Sequence, residues 1–223
     1  MILLTGSSGG IGRELIPYLC KLDDVVAVYN QGTPPANCES IQVDLRSVGS
    51  ISDAFLKLKA KGKKLTIVHG AALSIDKLAV HLEEESWDSV LNVNLKANYL
   101  LTKVFLPLMI AQKMGTIIHV SSIVGVRGAK GTLAYSASKS GLQGLSEVLA
   151  KEYGRFNITS NVLRLGYFDT GLIDTFDERT KQKILSDIPV KRLGDVKSVA
   201  LAIEFLINAR YVTGSVIDID GGL

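Results

Sequence analysis

The sequence predicts an α/β fold, a doubly wound parallel sheet with helices on both faces. Short, wholly apolar runs rich in Val and Ile alternate with longer segments of helical periodicity along the 223 residues. A glycine-rich turn follows the first apolar run. No repeat, low-complexity tract or Pro/Ser-rich linker breaks the alternation, so residues 1–223 are expected to form a single domain.

In order, Ile2–Thr5 reads as the first strand and Ile11–Leu22 as the first helix. Val25–Tyr29, Ile41–Val43, Leu65–His69, Thr116–Ser121, Ile158–Leu163 and Val216–Ile219 read as further strands. Helical periodicity marks Ser50–Lys61, Glu84–Gln112, Ala134–Phe156, Glu178–Ser186 and Val196–Asn208. In such Rossmann-type sheets a ligand binds outside the carboxyl ends of the strands, near the point where strand order reverses. Candidate functional residues are therefore sought at strand ends.

Composition narrows the function classes. The chain is 47% hydrophobic and 21% charged with a net charge of +3, ordinary for a globular protein and too weakly basic to predict nucleic-acid binding. Lys61, Lys63 and Lys64 read as a solvated helix end and turn. Cys20 and Cys38 lack CxxC spacing and are expected as free thiols. No His/Cys/Asp/Glu pattern suggests a metal site, and none is expected. Met1-Ile2-Leu3-Leu4 has no basic segment before it and no apolar run reaches spanning length, so the protein is expected in the cytoplasm and off the membrane.

The first strand runs into Thr5-Gly6-Ser7-Ser8-Gly9-Gly10-Ile11-Gly12 and then a helix. Glycines there allow a sharp turn and the close approach of a pyrophosphate to free helix N–H groups. Gly6, Ser8, Gly10, Ile11 and Gly12 are thus expected to hold a dinucleotide. Strand two ends in Tyr29-Asn30-Gln31, neither the carboxylate that suits the ribose diol of NAD(H) nor a basic residue for a 2′-phosphate. Without carboxylate repulsion near Asn30, NADP(H) is favoured over NAD(H). Asp44, beside Leu45, could accept from the adenine amino group or could be a turn aspartate.

Tyr135 and Lys139, four apart on one helix face, form a general acid–base pair in which an ammonium lowers the phenol pKa. Spacing alone does not select it, because Tyr99 and Lys103 repeat the pattern. Each tyrosine even has a serine thirteen residues upstream, Ser122 and Ser86 respectively. Geometry separates them: Ser86 and Tyr99 ride one helix about 20 Å apart. Ser122 instead ends a strand and Tyr135 opens the next helix after the loop Gly125–Gly131. Tyr99 then reads as core or interface packing and Ser86 as an N-terminal cap.

The glycine turn, Val93-Asn94-Leu95, Ser122, Tyr135–Lys139, Leu165-Gly166-Tyr167-Phe168-Asp169-Thr170 and the closing Asp220-Gly221-Gly222 together resemble the short-chain dehydrogenase/reductases, most closely the 3-oxoacyl-acyl-carrier-protein reductases. The resemblance spans Met1 to Leu223. It implies that Tyr135 donates the proton, Ser122 bonds the carbonyl oxygen, and Lys139 holds the nicotinamide ribose. It also implies that Asn94 positions a relay water; an asparagine in a long helix could otherwise simply distort or cap it. Gly166, Phe168 and Thr170 would hold the nicotinamide amide and pyrophosphate, and Ala71 would lie on the cofactor after strand four. The implied reaction is reduction of a 3-oxoacyl thioester, possibly on an acyl carrier protein, by a homotetramer or homodimer. Oxidation of a secondary alcohol, or a non-enzymatic dinucleotide sensor, are the alternatives.

The chain also departs from that family. Asn-Asn-Ala-Gly is replaced by His69-Gly70-Ala71-Ala72, with His69 expected to buttress the sheet, while His81 and His119 show no evident partners. Leu165 replaces a proline, which would loosen that turn, and Gly9 stands where NADP-preferring relatives carry a basic residue. Strands two and three are joined only by Asn30–Ser40, containing Pro34-Pro35, so the helix at that crossover is missing and the adenine end should be more exposed. Thr175–Ile188 is expected as a substrate lid or as an ordinary packed helix. Its Phe176, Ile184 and Leu185 beside Arg179, Lys181 and Lys183 suit an acyl chain on an acidic carrier.

Overall fold

A computed structural model describes residues 1–47, 49–51, 64–171, 173 and 176–223. Its seven strands are β1 Ile2–Thr5, β2 Val25–Tyr29, β3 Glu39–Gln42, β4 Thr66–His69, β5 Gly115–Ser122, β6 Ile158–Leu165 and β7 Val216–Ile219. They form one parallel sheet in the order β3-β2-β1-β4-β5-β6-β7, which places the reversal of strand order between β1 and β4. The predicted Ser50–Lys61 helix lies almost wholly outside the described residues.

The period-two alternation of the strands decides which face each residue serves. Leu3, Ile67 and Ile117 stand in register and pack on one face with Leu101 and Phe105. Their neighbours Leu4, Val68 and Ile118 pack on the other face with Leu15 of α1 (Gly10–Leu19) and Ile203 of α7 (Val196–Asn208). Fully apolar central strands thus follow from helices on both faces.

The long helical pattern Glu84–Gln112 is resolved into α2 (Glu84–Leu91), a π turn at Asn92–Lys96, and α3 (Ala97–Gln112). The π turn inserts an extra residue beside Asn94, the distortion that was one of its two sequence readings. Glu83, not Ser86, occupies the N-cap position of α2, without a side-chain cap bond; Ser86 lies inside its first turn. A short helix α4 (Val124–Arg127) precedes α5 (Leu133–Tyr153), and α6 is Glu178–Asp187. Asn30–Cys38 carries no helix, as the prolines predicted.

His119 is not partnerless as expected. His69 and His119 are register partners on β4 and β5, and their rings stack in parallel at 4.9 Å. His69 Nε2 bonds Thr102 Oγ1 at 3.0 Å, and His119 Nδ1 bonds Asn98 Oδ1 at 2.9 Å, so two rings dock one face of α3 on the sheet. Burial, with the Lys139 charge adding to it, pushes His119 down to about 3 and His69 well below its ordinary value.

A histidine that stays neutral in the fold but takes up a proton when unfolded makes stability fall as the pH is lowered. Below pH 6.5 the unfolded chain binds protons at both rings and the native chain does not, until about 3 for His119. The urea-unfolding free energy is therefore expected to drop through this range, and less steeply in His119→Gln. Equal slopes for the two proteins would contradict this.

Candidate active site

The turn after β1, the ends of β2 to β6 and the start of α5 enclose a cavity of about 630 Å³ around the switch point. Fifteen predicted residues can be placed on its wall: Gly6, Ser8, Gly10, Ile11 and Gly12 at the first turn; Asn30, Asp44 and Leu45 at the edge strands; Ala71, Ser122, Tyr135 and Lys139 at the centre; and Gly166, Phe168 and Thr170 beyond. Asn94 does not line it.

At the phosphate end, α1 begins after Gly9 with no side-chain cap and no acid in its first turn. Its leading N–H groups and positive dipole end are thus left to a ligand anion. A Cβ at Gly12 would overlap the Gly6 carbonyl oxygen, and one at Gly10 would lie 2.6 Å from Thr170 Oγ1. The turn is a cradle that side chains would fill, and it fits the pyrophosphate of a dinucleotide. Thr5 Oγ1 accepts from the N–H of Gly70 and of Ala71, both at 3.1 Å, tying the β1 and β4 ends together beneath it.

Asn30, Asp44 and Leu45 line the cavity at the edge strands, beside the helix-free Asn30–Cys38 connection. Asp44 is held by Arg46, whose Nε and Nη2 donate to its two oxygens at 3.0 and 2.8 Å, and its carboxyl is pushed below the ordinary range by those bonds. This favours its role as a turn aspartate and brings the Arg46 guanidinium to the cavity wall. Sequence reasoning missed Arg46, because no periodicity or motif marks it.

At the centre, Ser122 ends β5, and Tyr135 and Lys139 lie on the inner face of α5, 7% and 3% exposed. Lys139 Nζ stands 5.7 Å from the Tyr135 ring centroid and donates to the Val120 carbonyl at 2.7 Å. Burial pushes Lys139 down to about 8. Burial also raises the Tyr135 phenol above its ordinary value; the hydrogen bond with Ser122 opposes this, and the Asp76 carboxylate adds to it. The sequence had suggested a lowered phenol pKa, but desolvation outweighs the Ser122 hydrogen bond and sets the direction. The phenol is consequently protonated at neutral pH, the state a proton donor needs.

The second Tyr/Lys pair has nearly the same internal geometry, Lys103 Nζ lying 5.8 Å from the Tyr99 ring. Tyr99, however, is 46% exposed on α3 and away from the cavity, so it is not core. Asn94 is wholly buried in the π turn: its Oδ1 accepts from Leu73 N at 2.7 Å, and its Nδ2 donates to Leu73 O at 2.9 Å and Ser138 Oγ at 3.0 Å.

Backbone bonds hold the loop after β6, where Leu165 stands in place of the proline. Ile123 N donates to Leu165 O at 2.8 Å and Gly166 N to Ile219 O at 2.9 Å, while Tyr167 and Asp169 exchange bonds with Gly194 at 2.9 and 3.1 Å. Phe176 and Ile173 reach the cavity, but α6 itself buries no side chain. Thr175, the start of the expected lid, lies outside the described residues. Asp76, whose charge acts on Tyr135, carried no sequence signal, standing in a stretch without periodicity.

A family model described as "Enoyl-(Acyl carrier protein) reductase" matches residues 21–223. The chain is 41% identical over 238 aligned positions to a 3-oxoacyl-[acyl-carrier-protein] reductase, FabG, of Thermotoga maritima, covering 99% of this chain and 96% of that protein. It is 34% identical to Nodulation protein G of Rhizobium sp. (strain N33) and 33% identical to an acetoacetyl-CoA reductase of Synechocystis sp., in each case over 99% of this chain and 95% of the relative. The chain belongs to the short-chain dehydrogenase/reductase family. It is an oxidoreductase that interconverts C=O and CH–OH groups with a nicotinamide dinucleotide. Among the described residues no helix is long and apolar enough to cross a membrane, and no cluster of potential metal ligands occurs.

Two expected outcomes follow from this geometry. A Gly12→Val side chain would displace the turn, so fluorescence titration should show at least a tenfold weaker Kd for the reduced dinucleotide, about 1.4 kcal/mol; unchanged affinity would remove the cradle from the site. For Lys139, the unfolded chain keeps its proton up to 10.5 and the native chain loses it near 8, so stability rises with pH across that window. Urea unfolding of ligand-free protein should show this rise, and Lys139→Met should lack it.

Proposed function

We propose that this chain reduces a 3-oxoacyl thioester to the 3-hydroxyacyl thioester, drawing on NADP(H) in preference to NAD(H), with Tyr135 as proton donor. The observation that carries the reading is the convergence of Ser122, Tyr135 and Lys139 at the centre of a cavity that also includes the glycine cradle after β1. The cofactor, when bound along that cavity, supplies the hydride to the carbonyl carbon. Negative charge then develops on oxygen, where the Tyr135 phenol and the Ser122 hydroxyl both stand as donors. Tyr135 gives its proton to that oxygen, and the product is a secondary alcohol.

Lys139 offers the nicotinamide ribose a buried ammonium and stabilises the phenolate left behind. Reprotonation through Lys139 and a water held near Asn94 completes the cycle. Gly166, Phe168 and Thr170 hold the nicotinamide end, Ala71 the middle, and Asn30 and Leu45 the adenosine end, where Asp44 positions Arg46. The NADP(H) preference is supported by the carboxylate-free end of β2 and by Arg46 at the same end of the cavity. The named relatives that act on 3-oxoacyl and acetoacetyl thioesters support the substrate class. The basic Arg179, Lys181 and Lys183 on α6 suit an acyl carrier protein, which would bring the reaction to the cytoplasm and to fatty acid synthesis. Tyr99 and Val148, 46% and 53% exposed on the two long helices, support pairing of this single-domain chain into a homodimer or homotetramer.

Loss of nicotinamide absorbance with acetoacetyl-CoA tests the reading. NADPH should be oxidised faster than NADH at equal concentration, and Tyr135→Phe should lower kcat by roughly 10²–10⁴-fold. The description of the matching family model favours one second reading, reduction of a carbon–carbon double bond. Crotonyl-CoA turned over in place of acetoacetyl-CoA would establish that reading and overturn the first.

A further inference from the structure

Behind the proposed site, buried polar groups connect in a closed course that the reaction itself does not use. Ser146 of α5 bonds Ser160 of β6 at 3.0 Å, and Ser160 bonds His119 Nε2 at 3.3 Å. His119 Nδ1 bonds Asn98 Oδ1 at 2.9 Å, and Asn98 Nδ2 donates to the Asn94 carbonyl at 3.0 Å. Asn94 Nδ2 donates to Ser138 Oγ at 3.0 Å, and Ser138 Oγ donates to the Tyr135 carbonyl at 2.7 Å. The course leaves α5 at Ser146, crosses β6, β5 and the π turn, and returns to α5 at Tyr135. All its side chains are at most 7% exposed.

The Asn94 carbonyl fixes the donor sense of the links from Ser146 to Asn94. The Asn94 carbonyl only accepts, so Asn98 must present Nδ2 to it and Oδ1 to His119. His119 Nδ1 must therefore carry the hydrogen, which leaves Nε2 of the neutral ring as acceptor for the Ser160 hydroxyl. Ser160, having donated its one hydrogen, accepts from Ser146. Bonds that all point one way polarise one another, and any break leaves a buried group unsatisfied. The amide links at Asn98 and Asn94 have no transferable proton in this arrangement, so the course orients groups and does not conduct protons.

We propose that His119, through Asn98, is a positioning residue that fixes the carbonyl and side chain of Asn94 and, beyond it, the Tyr135 turn of α5. His119 is the junction because a neutral imidazole with hydrogen on Nδ1 both accepts from β6 and donates to α3. The parallel stack on His69, itself bonded to Thr102 one turn beyond Asn98, holds the ring plane in which both bonds are made. The inference rests on the proposed catalytic part of Asn94.

The test compares His119→Phe, which keeps a ring against His69 but makes neither bond, with His119→Gln, which can make both. With acetoacetyl-CoA and NADPH, His119→Phe and Asn98→Ala should each lower kcat by roughly ten- to a hundredfold with KM and cofactor Kd unchanged. His119→Gln should recover most of the loss, and the double variant should be no slower than either single one. Wild-type kcat in His119→Phe, or additive losses in the double variant, would overturn the proposal. Asn94→Ala separates the two levels: full activity there defeats the reading of Asn94 and this inference with it. Loss there but not in His119→Phe defeats only the inference. Should His119→Phe not fold, imidazole ¹⁵N shifts of the unaltered protein decide: hydrogen on Nδ1 supports the course, and hydrogen on Nε2 contradicts it.

Discussion

Burial of the Lys139 ammonium is the constraint to which the rest of the site conforms. A cation 3% exposed must find acceptors inside the fold, and Lys139 has the Val120 carbonyl at 2.7 Å. Among the described residues no carboxylate forms an ion pair with it. A carboxylate there would hold the ammonium in a structural pair and lower its value for the role proposed above. Burial alone brings Lys139 to about 8, still mostly charged at neutral pH but close enough to release a proton. Burial, with the same charge adding to it, keeps His69 and His119 neutral, which lets His119 serve as a hydrogen-bond junction.

Parallel pairing brings these groups together. Because β1, β4, β5 and β6 run the same way, the turn after β1, Ala71, Ser122 and Gly166 emerge on one edge of the sheet. The α5 helix crosses that edge with Tyr135 and Lys139 on its inner face. The π turn, held by Asn94 to the Leu73 backbone, fixes the loop after β4 against the same helix. Each side chain of the centre is thereby anchored to a regular element, which suits chemistry that tolerates little misplacement.

Much of this was legible in the sequence, and the physical reasons are particular. Strand and helix periods located nearly every described element within a few residues, since central strands covered on both faces must be apolar throughout. The Ser122–Tyr135 pair was separable from Ser86–Tyr99 because a helix axis keeps two of its residues apart, and the exposure of Tyr99 agrees. What sequence could not supply was side-chain pairing across elements. The His69–His119 stack depends on β4–β5 register, and the Asp44–Arg46 pair on local turn geometry. The raised Tyr135 pKa depends on burial, which spacing does not measure. The backbone bonds of Ile123 and Gly194 around the Leu165 turn likewise join segments distant in the chain, which spacing does not reveal.

The proposed reduction requires that hydride reach a carbonyl carbon. Where deuterium goes tests this most directly. Acetoacetyl-CoA turned over with NADPH carrying deuterium at its transferable C4 position should give 3-hydroxybutyryl-CoA labelled at C3, seen by NMR of the product. Deuterium in a saturated acyl chain formed from crotonyl-CoA, with no label entering acetoacetyl-CoA, would contradict the account.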